Sequence, residues 1–273
     1  MSKWNACVVI PTYNNARFLP AVIDDVARYT SAIIIVNDGS TDNTASLLEH
    51  YRDRVVVVNC PVNRGKGRAL REGFEKAIAL GYRRAITMDS DGQHVAEDLP
   101  RFLDALEENP GAMIIGSRCL KQEHVPTGNA FANRFSNFWF AVETGRRLPD
   151  TQTGFRLYPL GETSGTRPFS SRYEAELEML VRAAWRGVPL VPVPVRTRYL
   201  PDGERVTHFR PGADFARLSL MNTCLVVAAI FYGYPSLLLH ALSRKRRKAG
   251  RLGHSVDSFP KRSETISPEK PTR

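Results

Sequence analysis

Short apolar runs and longer amphipathic stretches alternate through the first 120 residues. Cys7–Ile10, Ile33–Val36, Val55–Val58, Ala85–Met88 and Met113–Ile115 are brief, rich in Val and Ile, and bounded by turn residues. Parallel strands buried on both faces have this uninterrupted apolar character. Between them lie stretches with helical spacing, about Ala16–Tyr29, Asp42–Arg52, Lys66–Leu80 and Ala96–Glu108. In the third, Leu70, Phe74, Ala77 and Ile78 share a side. Ser40, Thr41 and Asp42 can cap the second, and Asn109, Pro110 and Gly111 end the fourth. Strand alternating with helix predicts βαβ units: an α/β chain with a mostly parallel sheet and helices on both faces.

From Lys121 to Tyr158 the pattern loosens. Pro126, Gly128 and an aromatic cluster (Phe131, Phe135, Phe138, Trp139, Phe140) predict a loop and a short helix. Tyr173–Arg186 reads as a helix, with Leu177, Leu180, Val181 and Ala184 on one face, and the proline-punctuated Val188–Val195 as an edge strand. Leu218–Ser243 then runs 26 residues without a charge. As one helix it would exceed the ~30 Å of a bilayer's hydrocarbon core. Asn222, Gly233, Pro235 and His240 interrupt it, with a break expected at Pro235. A membrane span, an interfacial or re-entrant helix and a buried helix all remain open.

Composition narrows the class. Of 273 residues, 42% are hydrophobic and 24% charged, which excludes a disordered, collagen-like or multi-span membrane chain. The formal charge is +10, but residues 244–273 carry +7 of it. The basicity therefore belongs mostly to a tail, and Arg244–Lys248 suits anionic lipid on a cytoplasmic face. The rest of that tail lacks apolar periodicity and reads as disordered. Aromatic and basic residues are not interleaved on one face, so no nucleic-acid partner is expected. Cys7, Cys60, Cys119 and Cys224 form no CxxC pair and read as reduced thiols. Met1–Trp4 leads directly into a strand, so the body is expected in the cytoplasm.

In sheets of this kind ligands bind beyond the carboxyl ends of the strands. The residues there are polar. Met88-Asp89-Ser90-Asp91-Gly92-Gln93-His94 puts two carboxylates at i and i+2, which project to one side of an extended segment. Such a pair can hold Mg²⁺ or Mn²⁺ and leave coordination sites for phosphate oxygens, with Gln93 as a further oxygen donor. His94 reads as a loop residue. Asp38, in Val36-Asn37-Asp38-Gly39-Ser40-Thr41-Asp42, sits where a carboxylate can accept from a ribose hydroxyl or a base N–H, while helix capping accounts equally well for Asp42. Asn63-Arg64-Gly65-Lys66-Gly67-Arg68 falls short of a phosphate loop. Its glycines still allow close backbone approach, and Lys66 and Arg68 add charge at a helix start.

Taken in order, PTYNN, VNDGSTD, NRGKGRALREG, MDSDGQH, IIGSR and TQTGFRLY resemble the inverting family-2 glycosyltransferases of the GT-A fold. Within these the chain is similar to the dolichol-phosphate mannosyltransferase and polyprenyl-phosphate hexosyltransferase branch, over about residues 6–215. The resemblance implies a Rossmann-like GT-A domain over 1–217, with a donor half at 1–118 and an acceptor half at 119–217. A membrane-associating segment at 218–243 and the basic tail at 244–273 follow. It implies that Pro11, Tyr13, Asn14, Asp38, Lys66, Arg68 and Asp89 line the nucleotide-sugar pocket. Asp89, Asp91 and Gln93 would hold the metal. Arg118 and Arg134 would hold the acceptor phosphate, with Asp91 nearest the reaction and Gln152–Arg156 under the sugar. Arg205, His208 and Arg210 would close over the diphosphate.

The chain departs from the family twice. Its first motif reads PTYNN where PTYNE is frequent, and its closing loop reads Arg-Val-Thr-His-Phe-Arg in place of a GESK-like run. The implied reaction is transfer of a hexose from a GDP- or UDP-sugar to a lipid phosphate at a cytoplasmic membrane surface. A phosphate acceptor is already ionised and needs little help from a base, whereas an alcohol would need one. Glu174 and Glu178 share a helical face and Glu176 points elsewhere; a solvated or structural role is expected for all three. Transfer to a glycan, lipid alcohol or small molecule is the alternative, and a non-catalytic nucleotide-sugar binder a further one.

Overall fold

The computed structural model describes residues 1–118, 127–163, 168–198 and 211–253. Seven strands form one sheet in the order β3-β2-β1-β4-β6-β5-β7. The strands are β1 (Ala6–Thr12), β2 (Ile33–Asp38), β3 (Val56–Cys60), β4 (Arg84–Thr87), β5 (Met113–Arg118), β6 (Arg156–Pro159) and β7 (Leu190–Val195). Parallel pairing joins β3, β2, β1 and β4, and also β5 and β7. The short β6 runs against both β4 and β5.

The central apolar runs become strands buried on both faces, whereas β3, at the sheet edge, is only half-buried. Every residue of β1 is buried, with Cys7 and Val9 in one core and Val8 and Ile10 in the other. Each fully buried aliphatic side chain contributes roughly 1.5–3 kcal/mol. Helices α1 (Leu19–Ala27), α2 (Thr44–Glu49) and α4 (Leu99–Glu108) supply Leu19, Val22, Ile23, Leu48, Phe102 and Leu106 to one core. Helices α3 (Lys66–Ala79), α5 (Thr127–Thr144) and α7 (Glu174–Trp185) supply Leu70, Ala77, Phe140, Leu177, Leu180 and Trp185 to the other. A one-turn helix, α6 (Leu160–Thr163), follows β6.

Three expectations change before the apolar segment. The region expected as a loop and short helix contains the 18-residue α5. Strand β6, which starts with a charged residue and ends in proline, was not expected. Helices α1 and α2 are shorter than the spacing suggested.

The charge-free segment is helical throughout, as α8 (Pro211–Ala228), a π turn at Ala229–Gly233 and α9 (Tyr234–Gly253). The helix does not break at Pro235; the irregularity is the π turn just before it, where one residue is squeezed into the ladder. Within the body, Met1–Leu237, the segment is two-faced. Asn222, Leu225 and Ala229 are buried, while Leu220, Val227, Ile230 and Phe231 are exposed, Phe231 to 79%. The second unit begins at Leu238, and its described part is helical to Gly253, through the basic run Arg244–Lys248.

Candidate active site

The sequence order of strands reverses between β1 and β4, and there the loops after β1, β2 and β4 converge. Asn15 donates its side-chain amide to Ser90 O (2.6 Å) and Ser90 Oγ (3.0 Å), which ties the first motif to the Asp89–Asp91 loop. Asn14 has a left-handed backbone (φ 48°), and its Oδ1 accepts from Thr41 N at 2.7 Å, which ties the first motif to the second. Pro11 is buried within β1, and Tyr13 is half-buried just beyond it.

Asp38 ends β2. Its Oδ1 accepts from Arg64 N (3.0 Å) and its Oδ2 from Gly65 N (2.8 Å). The carboxylate that a ribose was expected to meet is here engaged with the loop that starts α3. That loop delivers Lys66. Its glycines serve packing: a Cβ on Gly67 would lie 2.3 Å from Ala175 Cβ, and one on Gly65 (φ +95°) 2.7 Å from Ser171 O. They let α3 close against the start of α7. Arg68 pairs along its own helix with Glu72 at 2.7 Å.

The result is a cluster around one ammonium. Lys66 Nζ lies 2.6 Å from Asp89 Oδ1 and 2.8 Å from Glu176 Oε2, with its side chain only 16% exposed. Asp89 and Glu176 hold the Lys66 ammonium charged, its pKa raised despite burial. Although burial alone would raise the Asp89 carboxyl, Lys66, His94 and Arg118 bring it down to about 2. The Asp91 carboxyl is pushed up, by burial and by the charge of Asp89. Glu176 Oε1 is buried with no hydrogen-bond partner. Two carboxylates thus share the Lys66 ammonium, and Asp91 lies within its electrostatic reach. Among the described residues no three His, Cys, Asp or Glu side chains form a self-contained metal cage.

The Asp91 loop is shaped from inside. Asp91 Oδ1 accepts from Gln93 N at 3.0 Å, and Gln93 O accepts from Arg198 N at 2.9 Å. His94 is buried, stacks on Phe155 and accepts from Asp89 N through Nδ1 at 3.1 Å.

Antiparallel β6 brings residues 150–156 to the same end of the sheet. Arg156 pairs with Thr87 and Ile115 near the carboxyl ends of β4 and β5. It is fully buried, and its guanidinium donates to Glu176 O (2.6 Å) and Thr151 O (2.8 Å). Gly154 packs over the cluster, where a Cβ would sit 2.7 Å from both Asp89 Oδ2 and Lys66 Nζ.

Arg118, at the end of β5, reaches Asp150 through Nε (2.6 Å) and Nη2 (3.0 Å). Asp150 has no solvent exposure. Helix α5 is pinned alongside: Asn133 and Asn137 donate to Pro149 O, and Asn137 and Ser136 bond Thr151. Arg134 stands on the exposed side of α5, which also carries the exposed Phe131 and Phe138. The expected Arg205, His208 and Arg210 lie outside the described residues.

Sequence reading passed over Asp150 and left Glu176 without a site role; Asn15, to which the PTYNN departure could shift a nucleotide contact, instead ties its loop to Ser90. It takes Glu178 as solvated or structural; the structure makes it a buried cap, accepting from Phe169 N and Ser170 N and pairing with Arg182.

A glycosyl transferase family 2 model matches residues 7–158. Glycosyltransferase AglJ of Haloferax volcanii is 32% identical over 72% of the chain, and the chain spans 64% of that protein's length. The polyprenol monophosphomannose synthase of Mycolicibacterium smegmatis is 31% identical over 69% of the chain and 75% of its own. The human dolichyl-phosphate beta-glucosyltransferase is 30% identical over 69% of the chain and 65% of its own. Among solved structures, glucosyl-3-phosphoglycerate synthase from Mycobacterium tuberculosis, in complex with Mn²⁺, UDP-glucose and phosphoglyceric acid, superposes with a TM-score of 0.60. It is 19% identical over 82% of this chain and 79% of that one. With more than half of its length matched, and with the motif loops gathered at one end of a GT-A sheet, this chain belongs to glycosyl transferase family 2 and is a glycosyltransferase.

Proposed function

We propose that the chain transfers a hexose from a GDP- or UDP-sugar to a lipid phosphate of the polyprenyl or dolichyl class, with inversion, at the cytoplasmic face of a membrane. The observation that carries this reading is the Asp89–Asp91 pair at the carboxyl end of β4, facing the single ammonium of Lys66. Two hard oxygen donors without a complete protein cage suit Mg²⁺ or Mn²⁺, which is commonly held by one or two carboxylates and substrate phosphates. Asp89 and Asp91, with Gln93, would hold the ion; when bound it neutralises charge on the leaving diphosphate. Lys66 adds a fixed positive charge on the same side, in a half-dry site where such charges act strongly. Pro11, Tyr13 and Asn14 shape the nucleotide end, with Asp38 holding the loop that carries Lys66 and Arg68.

On the acceptor side, Arg118 ends β5 within electrostatic reach of Asp89, and Arg134 lies on the helix pinned to the Asp150 segment. A phosphate acceptor enters already ionised, so no general base is required of this chain. The acceptor oxygen attacks opposite the diphosphate and inverts the anomeric carbon. Residues 1–217 would form the catalytic domain, with donor and acceptor halves meeting near residue 118. The apolar helix Ala216–Ser243, 28 residues long, and its basic flank would hold that domain at the membrane. The names of the mycobacterial and human relatives support the acceptor class.

A second reading, transfer to a different acceptor, is favoured by one observation: the Arg118 guanidinium is already paired with the buried Asp150 carboxylate through two hydrogen bonds. The experiment is thermal unfolding of detergent-purified protein with GDP, UDP and their sugars, with and without Mn²⁺, followed by transfer assays with polyprenyl phosphate. A ligand at a hundred times its Kd stabilises by about 2.7 kcal/mol. A Mn²⁺-dependent shift that vanishes in Asp89→Ala/Asp91→Ala supports the donor site. No shift from a cooperatively melting protein refutes it. A shift without transfer to polyprenyl phosphate leaves the second reading.

A further inference from the structure

The geometry points to Glu176 as a positioning residue: it takes over the Lys66 ammonium when a divalent cation claims Asp89, keeping that ammonium in the donor site. The inference deepens the donor-site reading above and rests on it. Lys66 has two anionic partners at near-equal distance, 2.6 and 2.8 Å. One of them, Asp89, belongs to the pair read as the cation's ligands; the other belongs to a different helix. A cation at Asp89 and an ammonium at Asp89 compete for the same oxygens. If Asp89 were its sole partner, Lys66 would either keep the cation out or swing away and leave the diphosphate.

Glu176 removes that conflict. Its side chain is 8% exposed, so the carboxylate is not diluted by water. Its Oε1 is buried with no partner, so it has capacity for a second ammonium hydrogen. Its backbone is fixed: Arg156 donates to Glu176 O at 2.6 Å, and a Cβ on Gly67 would collide with the neighbouring Ala175. Gly154 lies directly over both Lys66 and Asp89, so the ammonium has little room to leave in that direction. The movement available to Lys66 is a short transfer from Asp89 toward Glu176. Partners one step removed from a metal commonly alter its affinity 10- to 100-fold.

The test is a double-mutant cycle read by Mn²⁺ binding, with free Mn²⁺ measured by electron paramagnetic resonance on the full chain in detergent without acceptor. Glu176→Gln keeps shape and removes charge, and is expected to weaken Mn²⁺ binding by about tenfold. Lys66→Met removes the competitor, and is expected to tighten Mn²⁺ binding by about tenfold while weakening Mn²⁺-dependent GDP or UDP binding. In the Lys66→Met background, Glu176→Gln should change Mn²⁺ affinity by less than about threefold, because Glu176 has lost the group it acts on. Equal losses in both backgrounds would mean through-space electrostatics and overturn the inference, as would an unchanged Glu176→Gln. Should Glu176→Gln fail to fold, Lys66→Met alone decides: tighter binding upholds the competition, and unchanged or weaker binding overturns it. A wild-type chain that takes up no Mn²⁺ with any nucleotide defeats the cation reading itself and this inference with it. Mn²⁺ uptake without coupling defeats only the inference.

Discussion

Replacing Asp150 by Asn tests how the acceptor half is held together. Asp150 is wholly buried and accepts from Arg118 Nε at 2.6 Å, Arg118 Nη2 at 3.0 Å, Arg118 N at 3.2 Å and Gln152 N at 3.1 Å. Asn is nearly isosteric but neutral, and one of its two polar atoms donates where the carboxylate accepted. The variant loses one charge-assisted contact outright and weakens the other, each worth roughly 1.5–3 kcal/mol. It also removes the buried counter-charge of a guanidinium whose side chain is 20% exposed, so part of its charge recovers hydration. Breaking a buried pair from one side costs about 3–5 kcal/mol, and the exposure of Arg118 places this case near the lower end. An expected loss of about 3 kcal/mol corresponds to roughly 6–12 °C in Tm for a body of this size. Urea unfolding of Asp150→Asn, Arg118→Met and the double variant gives the energies. The double variant should be more stable than Arg118→Met, because it leaves no lone charge buried. A loss below about 0.5 kcal/mol in Asp150→Asn, or strict additivity in the cycle, would refute the argument.

Gly67→Ala should destabilise by about 1–3 kcal/mol in urea, since its Cβ would meet Ala175 at 2.3 Å and push α3 from α7. Ile230→Glu/Phe231→Glu, on the exposed apolar face of the π turn, should abolish co-sedimentation with liposomes and leave the melting curve within about 2 °C. Glu143 is wholly buried with both carboxyl oxygens unpartnered, and burial pushes its pKa to about 8. The folded chain therefore binds this proton more tightly than the unfolded chain, so stability falls as pH rises from about 4.5 to about 8. Glu143→Gln should flatten that slope and be the more stable protein at pH 8. Burial raises the Cys7 thiol to about 12, whereas Cys224 is exposed, so a thiol reagent at pH 8 should label Cys224 and reach Cys7 only on unfolding.

The first five strands were legible because each is a short apolar run, buried on both faces in β1 and β2 and half-buried at the edge in β3, a pattern that needs no partner to be recognised. The polar residues at their ends stood out for the same reason: Lys66, Asp89 and Asp91 break a rule that the rest of the segment obeys. Strand β6 escaped because Arg156 looks like a surface residue until Thr151 O and Glu176 O are brought to it. Helix α5 escaped because Asn133, Ser136 and Asn137 face a loop while Phe140 reaches the core, so its inward side mixes polar and apolar residues. Asp150 and Glu176 gave no local signal, since their roles depend on Arg118 and Lys66, placed opposite them only by the fold. The glycines of NRGKGR were legible as close-approach positions, but the approaching backbone proved to be that of Ser171–Ala175.

Strand β6 also dictates an order of events during synthesis. In the sheet, β3, β2, β1 and β4 touch β5 and β7 only through those four residues. A nascent chain can pair its first four strands as they emerge, but β5 has no neighbour until β6 or β7 is made. At ordinary elongation rates that wait lasts roughly two to eight seconds, during which Met113–Ile115 is an apolar edge without a mate. Ribosome-bound chains truncated just before Arg156 should therefore recruit chaperones more strongly than chains truncated after Val195.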